Sequence, residues 1–182
     1  YVYRVDSDWS QIILCNNNDS AATVAAPISG DQAGTGSLGH DPDASYYLHD
    51  FWNDAFVGEF KGTESISRPL KSQQSLTYSL RRKLDRPQVL STNRHIMQGL
   101  MDLADVAWDA ETLTLSGVAK VVGGEPFVIT LADNGYRPAS SKTSSGDAST
   151  AAATRQNDIT RLTLESGTNA DVKWSVTWKK AQ

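Results

Sequence analysis

Strict alternation of apolar and polar residues marks the clearest strands of this chain. Segment 75–81 alternates Leu and Tyr with Ser, Thr and Arg, and segment 172–178 alternates Val and Trp with polar residues. Successive side chains of a strand point to opposite sides, so each segment predicts a strand with one buried face and one face in water. Long helical periodicity is hard to find.

Further segments of this kind predict an all-β fold, an antiparallel β-sandwich arranged as two β-rich lobes in tandem. The predicted strands are 11–16, 22–26, 45–51, 55–61, 75–81, 100–108, 113–122, 127–132, 159–165 and 172–178. The charged run at 81–86 suggests a boundary, so we expect one lobe over 1–84 and a second over 85–182. The Ser-, Thr-, Ala- and Gly-rich segment 140–158 predicts a flexible loop.

Size and charge narrow the possible partners. The 182 residues suffice for one large or two small cores, and the net charge of -4 is spread without a block of one sign. A nucleic-acid surface requires clustered Lys and Arg, so we expect no nucleic-acid partner. No apolar run approaches the roughly 20 residues of a spanning helix, so we expect no membrane partner. We expect the single cysteine, Cys15, to be buried as a small hydrophobe.

The segment 47–82 carries a family resemblance. An aspartate and an aromatic residue precede Trp52-Asn53, then Gly58, a turn and Pro69-Leu70 follow, and the segment ends in the alternating strand 75–81. This order resembles the C-terminal β-sandwich of melibiase-type (alpha-galactosidase-like) glycoside hydrolases. Segments 8–16 and 87–99 fit the same family, and the remainder resembles only a further β-rich lobe.

The resemblance implies an accessory role. In this family the sandwich follows a (β/α)8 barrel that holds the catalytic aspartates. We therefore expect a non-catalytic chain that packs against, and stabilises, a (β/α)8 catalytic domain of the same polypeptide, and we expect no cofactor. Because the chain starts at Tyr1 in a strand-like segment, we expect a fragment of a longer glycoside hydrolase. The family also implies a secreted or periplasmic location.

Carbohydrate binding is the alternative function. Binding modules place exposed aromatic faces beneath sugar rings, and the five tryptophans that could do so are Trp9, Trp52, Trp108, Trp174 and Trp178. Trp52 is the most interesting, because it lies at a predicted turn beside Asn53 and Asp54. These three residues are candidates for a carbohydrate site or an interdomain contact. Packing in a core is the competing interpretation, and it is the default for Trp174 and Trp178.

The pair Arg94-His95 is a second candidate contact. It lies in a segment with neither clean period, and polar residues on irregular backbone often make functional contacts. One interpretation is that the pair docks on the catalytic barrel or borders its active-site mouth. The other is structural, with Arg94 in an ion pair and His95 capping a turn.

The spacing of acidic and histidine residues disfavours a metal site and a catalytic pair. The nearest metal constellation would be His40, Asp41, Asp43, His49 and Asp50. Neighbours in a strand point to opposite faces, so these side chains do not converge and we expect no metal. Glycoside hydrolysis requires two carboxylates flanking one bond. A β surface with 21 acidic residues offers such pairs by chance, so we name no catalytic residue among Asp50, Asp54, Glu59 and Glu64.

Overall fold

The structure, a computed structural model, describes residues 1–31, 36–143 and 149–181. These residues form strands, turns and loops, and no helix occurs among them. Neighbouring strands pair antiparallel and pack in several sheets, so the predicted all-β antiparallel sandwich is confirmed. Two compact units, Tyr1–Lys83 and Leu84–Gln182, are here called the N-terminal and C-terminal sandwiches.

The N-terminal sandwich contains seven strands. They are β1 (Val2–Arg4), β2 (Trp9–Cys15), β3 (Ala22–Pro27), β4 (Ser45–Asp50), β5 (Ala55–Lys61), β6 (Ser65–Leu70) and β7 (Ser75–Arg82). Five of them form a sheet in the order β1-β2-β7-β4-β5, and β3 pairs with β6 in a two-stranded ribbon. Apolar residues of the sheet and the ribbon form one core, which includes Ile12, Leu48, Ile66, Leu70 and Leu80.

The C-terminal sandwich contains eight strands. They are β8 (Gln88–Thr92), β9 (Leu103–Asp109), β10 (Thr114–Val121), β11 (Phe127–Ala132), β12 (Tyr136–Thr143), β13 (Ser149–Gln156), β14 (Ile159–Ser166) and β15 (Ala170–Lys180). Two four-stranded sheets have the orders β12-β15-β10-β9 and β13-β14-β11-β8. Alternate residues of both sheets meet in a core that includes Phe127, Ile129, Leu162, Trp174 and Trp178.

The expected loop over 140–158 is largely strand, which corrects that prediction. Residues up to Thr143 belong to β12, and β13 pairs with β14 over its whole length. Residues 144–148 of the expected loop lie outside the described residues. The β13–β14 connection is a two-residue turn at Asn157 and Asp158, with φ values of 48° and 61°. Main-chain pairing forms such a hairpin whether or not the sequence alternates, so a run of Ser, Thr and Ala concealed it.

Three other strands lack the expected pattern for reasons that the structure makes clear. In β8 all five residues are buried, so no alternation of apolar and polar residues is required. Proline interrupts both β6, at Pro69, and β12, at Pro138. The expected burial of Cys15 is also wrong. Ile12 and Leu14 point to the core, so the side chain of Cys15 projects from the opposite side of β2 and is exposed.

Candidate functional site

The candidate site lies on the outer face of the five-stranded sheet. Tyr78 and Leu80 of β7 point into the core, so Thr77, Ser79 and Arg81 point the other way. The alternation predicted this division correctly, but the outer face is not simply in water. Thr77 is 6% exposed and Ser79 is 1% exposed.

Two indole rings are attached to this face by their edges. Nε1 of Trp9 donates a hydrogen bond of 3.1 Å to Oγ of Ser79, and Nε1 of Trp52 donates one of 3.3 Å to Oγ1 of Thr77. The guanidinium of Arg81 lies 3.5 Å from the centroid of the Trp9 ring, a cation–π contact. We call these five residues the aromatic face.

Arg81 keeps its charge in this position. Burial lowers the pKa of its guanidinium to about 9, and Asp6 partly offsets the effect. The group is therefore protonated at neutral pH and contributes a fixed positive charge beside Trp9. A charged group held flat against an indole also restricts the orientation of that ring.

The turn between β4 and β5 positions Trp52. The carboxylate of Asp50 accepts hydrogen bonds from the backbone N and the Nδ2 atom of Asn53, at 3.1 and 2.9 Å. Asp54 adopts a positive φ of 45°, a conformation that Asp tolerates better than most residues. Trp52 is 65% exposed and packs edge-to-face on Phe51, with 5.0 Å between the ring centroids. The turn thus fixes the edge of the indole and leaves much of the ring in solvent.

The outer face continues from the indoles toward the edge strand β5. Tyr47 and Phe56 meet edge-to-face with their centroids 5.4 Å apart. Nζ of Lys83 lies 2.7 Å from Oε2 of Glu59 and 5.6 Å from the centroid of the Tyr47 ring. The hydrogen bond lowers the pKa of Glu59 and raises that of Lys83. Aromatic rings and one ion pair therefore cover this end of the sheet.

His49 belongs to the same face, whereas His40 does not. His49 is 1% exposed, pairs with Ser79 across the sheet, and has its Nε2 atom 3.7 Å from Oδ1 of Asp54. His40 contacts Oγ of Ser10 at 2.8 Å, and burial lowers the pKa of its imidazole. Within the described ranges, no three His, Cys, Asp or Glu side chains are grouped as a metal site requires.

Arg94 and His95 occupy the connection between β8 and β9 in the C-terminal sandwich. Arg94 pairs through Nη1 with Oε2 of Glu125, and Nδ1 of His95 accepts a hydrogen bond of 3.1 Å from the backbone N of Met97. The Nε and Nη2 atoms of Arg94 are buried without a hydrogen-bond partner in the described part of the chain. These are the contacts of the structural interpretation, an ion pair and a turn cap.

The five tryptophans differ in exposure. Trp174 and Trp178 are each 2% exposed, and their Nε1 atoms have no hydrogen-bond partner among the described residues. Trp108 is half-buried and packs edge-to-face on Tyr136, with 5.6 Å between centroids. Trp9 is half-buried beneath Arg81. Trp52 is therefore the tryptophan whose ring is most open to a ligand.

The carboxylates that could have formed a hydrolytic pair all have local contacts. Each one binds a turn, a histidine or a lysine of the same sandwich. The partners are Asn53 for Asp50, His49 for Asp54, Lys83 for Glu59 and the Lys61 backbone N for Glu64. Contacts of this kind stabilise turns and strand pairs.

The sequence identified Trp52 but missed the residues that position it. Trp9, Thr77, Ser79 and Arg81 gave a signal, because all four lie at outward positions of two alternating strands. Their association depends on the pairing of β2 with β7, which joins segments about 70 residues apart and leaves no local mark.

Comparison with protein-family models gives no match for this chain, and comparison with curated proteins gives none. The described residues also contain no helix long and apolar enough to cross a membrane.

Proposed function

We propose that this chain is a non-catalytic carbohydrate-binding module that accompanies the catalytic domain of a glycoside hydrolase. The observation that carries the proposal is the orientation of Trp52. Its ring is 65% exposed while its Nε1 atom is held by Thr77. An indole fixed by its edge offers its face to solvent, and a flat apolar face is the surface on which the C–H groups of a sugar ring stack.

Polar groups around Trp52 supply the second requirement of a sugar site. Asn53 is exposed and Asp54 is half-buried, so both lie where the hydroxyl groups of a stacked sugar would point. Binding sites combine an apolar surface with a few placed polar groups that fix the orientation of the ligand. Trp52 with Asn53 and Asp54 has this composition.

Preorganisation favours binding at this position. Ordering an exposed side chain on association costs about 0.5–1.5 kcal/mol. The hydrogen bond to Thr77 and the contact with Phe51 have already restricted the Trp52 ring before a ligand arrives. Less entropy is therefore lost on binding than for a free surface indole.

The link to a glycoside hydrolase rests on the family resemblance of segment 47–82. The local contacts of Asp50, Asp54, Glu59 and Glu64 support a non-catalytic role, since each carboxylate already serves the fold. The (β/α)8 domain of the same polypeptide would then carry out hydrolysis, outside the cytoplasm, while this chain holds substrate nearby.

Calorimetric titration with galactosides and galactose-containing polysaccharides tests the proposal. We expect binding by the native chain and a loss of affinity of about tenfold or more in Trp52→Ala, which corresponds to about 1.4 kcal/mol. Trp52→Phe retains a ring without the Thr77 hydrogen bond, so we expect an intermediate loss. Met101→Ala removes another exposed apolar side chain, 57% exposed in the C-terminal sandwich, and serves as the control. Equal affinity in Trp52→Ala and the native chain contradicts the proposal.

A second candidate function, bracing of the catalytic domain, is favoured by one observation. The edge strand β5 exposes Phe56 and Val57, at 37% and 38%. Exposed apolar residues on an unpaired edge are typical of a contact surface. If β5 packs on a neighbouring domain, Val57→Lys will lower the melting temperature of the full-length enzyme but leave that of the isolated chain unchanged. Equal effects in both would argue against bracing.

A further inference from the structure

A groove of about 470 Å³ lies on the sheet β12-β15-β10-β9 of the C-terminal sandwich. Val172, Trp174 and Val176 of β15 point into the core, so Lys173 and Ser175 point outward. Ser116 and Val118 occupy outward positions of the neighbouring strand β10. The groove therefore lies on the outer surface of this sheet, and its volume is in the range of small-ligand sites, about 300–1,000 Å³.

The lengths of the side chains explain the shape of the groove. Short residues, Ser116, Val118 and Ser175, cover the two central strands. The long side chain of Lys142 rises from β12 on one side, and Lys173 lies diagonally across from it. A floor of small polar and apolar groups with charged walls is a surface that can hold a flat polar molecule.

Charge is distributed unevenly along the groove. Lys142 and Lys173 lie on the adjacent strands β12 and β15, whereas Asp105 lies on β9 at the opposite edge of the sheet. Strands are spaced by about 4.8 Å, so about 14 Å separate β12 from β9. One end of the groove is thus cationic and the other end carries an acceptor for hydroxyl groups.

Both lysines are available to a ligand. Among the described residues, neither ammonium group lies within 4.0 Å of a carboxylate oxygen. Two like charges on neighbouring strands repel each other, and an anion between them would relieve that repulsion. The hydroxyl groups of Ser116 and Ser175 lie on the floor beside them.

We propose that this groove binds an anionic saccharide, with its acidic group between Lys142 and Lys173 and its hydroxyl groups toward Asp105. A small inorganic anion would use the lysines and leave the remainder of the groove unfilled, and Asp105 would not favour it. A neutral sugar would leave the two ammonium groups without a counter-charge. A sugar chain that carries carboxylates or sulfates satisfies both ends. The inference is independent of the Trp52 site, because it concerns the other sandwich.

Titration of the native chain with oligogalacturonate, a neutral galacto-oligosaccharide of equal length, a sulfated galacto-oligosaccharide and inorganic sulfate tests this inference. We expect either acidic oligosaccharide to bind about tenfold or more tightly than the neutral one, with an affinity that falls as salt is raised. The preferred acidic oligosaccharide identifies the anionic group. Equal binding of the neutral oligosaccharide, or inorganic sulfate binding as tightly as both acidic sugars, would overturn the proposal.

Three variants locate the site. Lys142→Gln combined with Lys173→Gln should weaken binding of the acidic oligosaccharide by at least tenfold. Lys179→Gln is the matched control, because Lys179 lies on the same face of β15, about 20 Å farther along the strand. We expect it to bind like the native chain. An equal loss in the control and the double variant would show non-specific charge attraction, and no loss in the double variant would exclude the groove. Binding here should survive Trp52→Ala, which separates the two sites.

Discussion

In the N-terminal sandwich the indoles of Trp9 and Trp52 lie on the outer face of a sheet, whereas those of Trp174 and Trp178 fill the core of the C-terminal sandwich. The outer pair donates hydrogen bonds to hydroxyl groups of β7. The inner pair has no acceptor within the described residues. The same side chain thus serves recognition in one unit and packing in the other.

The difference follows from the residues on the facing strand. Thr77 and Ser79 provide acceptors at outward positions, so each outer indole satisfies its N–H and can remain at the surface. Around Trp174 and Trp178 the neighbours are apolar, and an unpaired buried N–H costs about 1–3 kcal/mol. Burial of a large aromatic ring more than offsets this cost.

Truncation of the buried tryptophan should have the largest effect. Trp174→Ala creates a cavity in the C-terminal core and is expected to reduce the free energy of unfolding by about 3–5 kcal/mol. Trp52→Ala removes an exposed ring, and we expect a loss below about 1 kcal/mol. Denaturant unfolding followed by circular dichroism measures both values.

Trp174→Phe is the control for this contrast. It keeps an apolar ring in the core and removes an N–H that has no partner, so the loss should be smaller than in Trp174→Ala. Equal losses in Trp174→Ala and Trp52→Ala would mean that the two sandwiches do not use tryptophan differently.

The next effect in size concerns Asp133, which is fully buried in the C-terminal sandwich. Its Oδ1 atom accepts a hydrogen bond of 2.7 Å from Thr160, and its Oδ2 atom binds Arg155. Asp133→Ala leaves both donors without their acceptor and should cost about 2 kcal/mol of unfolding free energy. Thr163→Ala, a half-buried position on the same strand as Thr160, should cost much less in the same assay.

The pH dependence of stability also depends on Asp133. Burial raises its pKa despite the two hydrogen bonds. The folded state therefore holds the proton more tightly, so the contribution of Asp133 to stability is complete below the unfolded-state pKa of about 3.9 and is lost as pH rises through the folded value. Relative to Asp133→Asn, the native chain should gain stability as pH falls. A gain of the opposite sign would contradict this assignment.

Glu59 in the N-terminal sandwich should show the reverse pH dependence and the smallest effect. Lys83 lowers the pKa of Glu59, so its contribution is present above the unfolded-state pKa of about 4.3 and is lost as pH falls through the folded value. The pair is well exposed and screened, so Glu59→Gln should cost no more than about 0.5 kcal/mol at neutral pH. Unfolding curves at acidic and neutral pH should show the difference only at neutral pH.

Local alternation predicted the fold class and most of the strands. It placed Tyr78 and Leu80 on one face and Thr77 and Ser79 on the other, because side-chain direction in a strand is a local property. It did not predict β8, which is buried on both faces, or β13, whose pairing depends on β14. Burial depends on which sheets stack, and that is set by distant parts of the chain.

The candidate site was predictable only in part. Trp52 stood out because a turn exposes it, and Asn53 and Asp54 shape that turn as their residue types suggest. The hydrogen bond to Thr77 joins residues 25 positions apart, and the bond between Trp9 and Ser79 joins residues 70 apart. The groove on β12-β15-β10-β9 likewise exists only after four separate strands align.

Nuclear magnetic resonance of the indole N–H groups tests the central claim most directly. The five tryptophans should give five indole signals in the native chain, and single Trp→Phe variants assign them. On titration with a galactoside, the account predicts that the Trp52 signal shifts with ligand concentration, while those of Trp174 and Trp178 do not move. A Trp52 signal that stays unchanged at saturating galactoside would contradict the account.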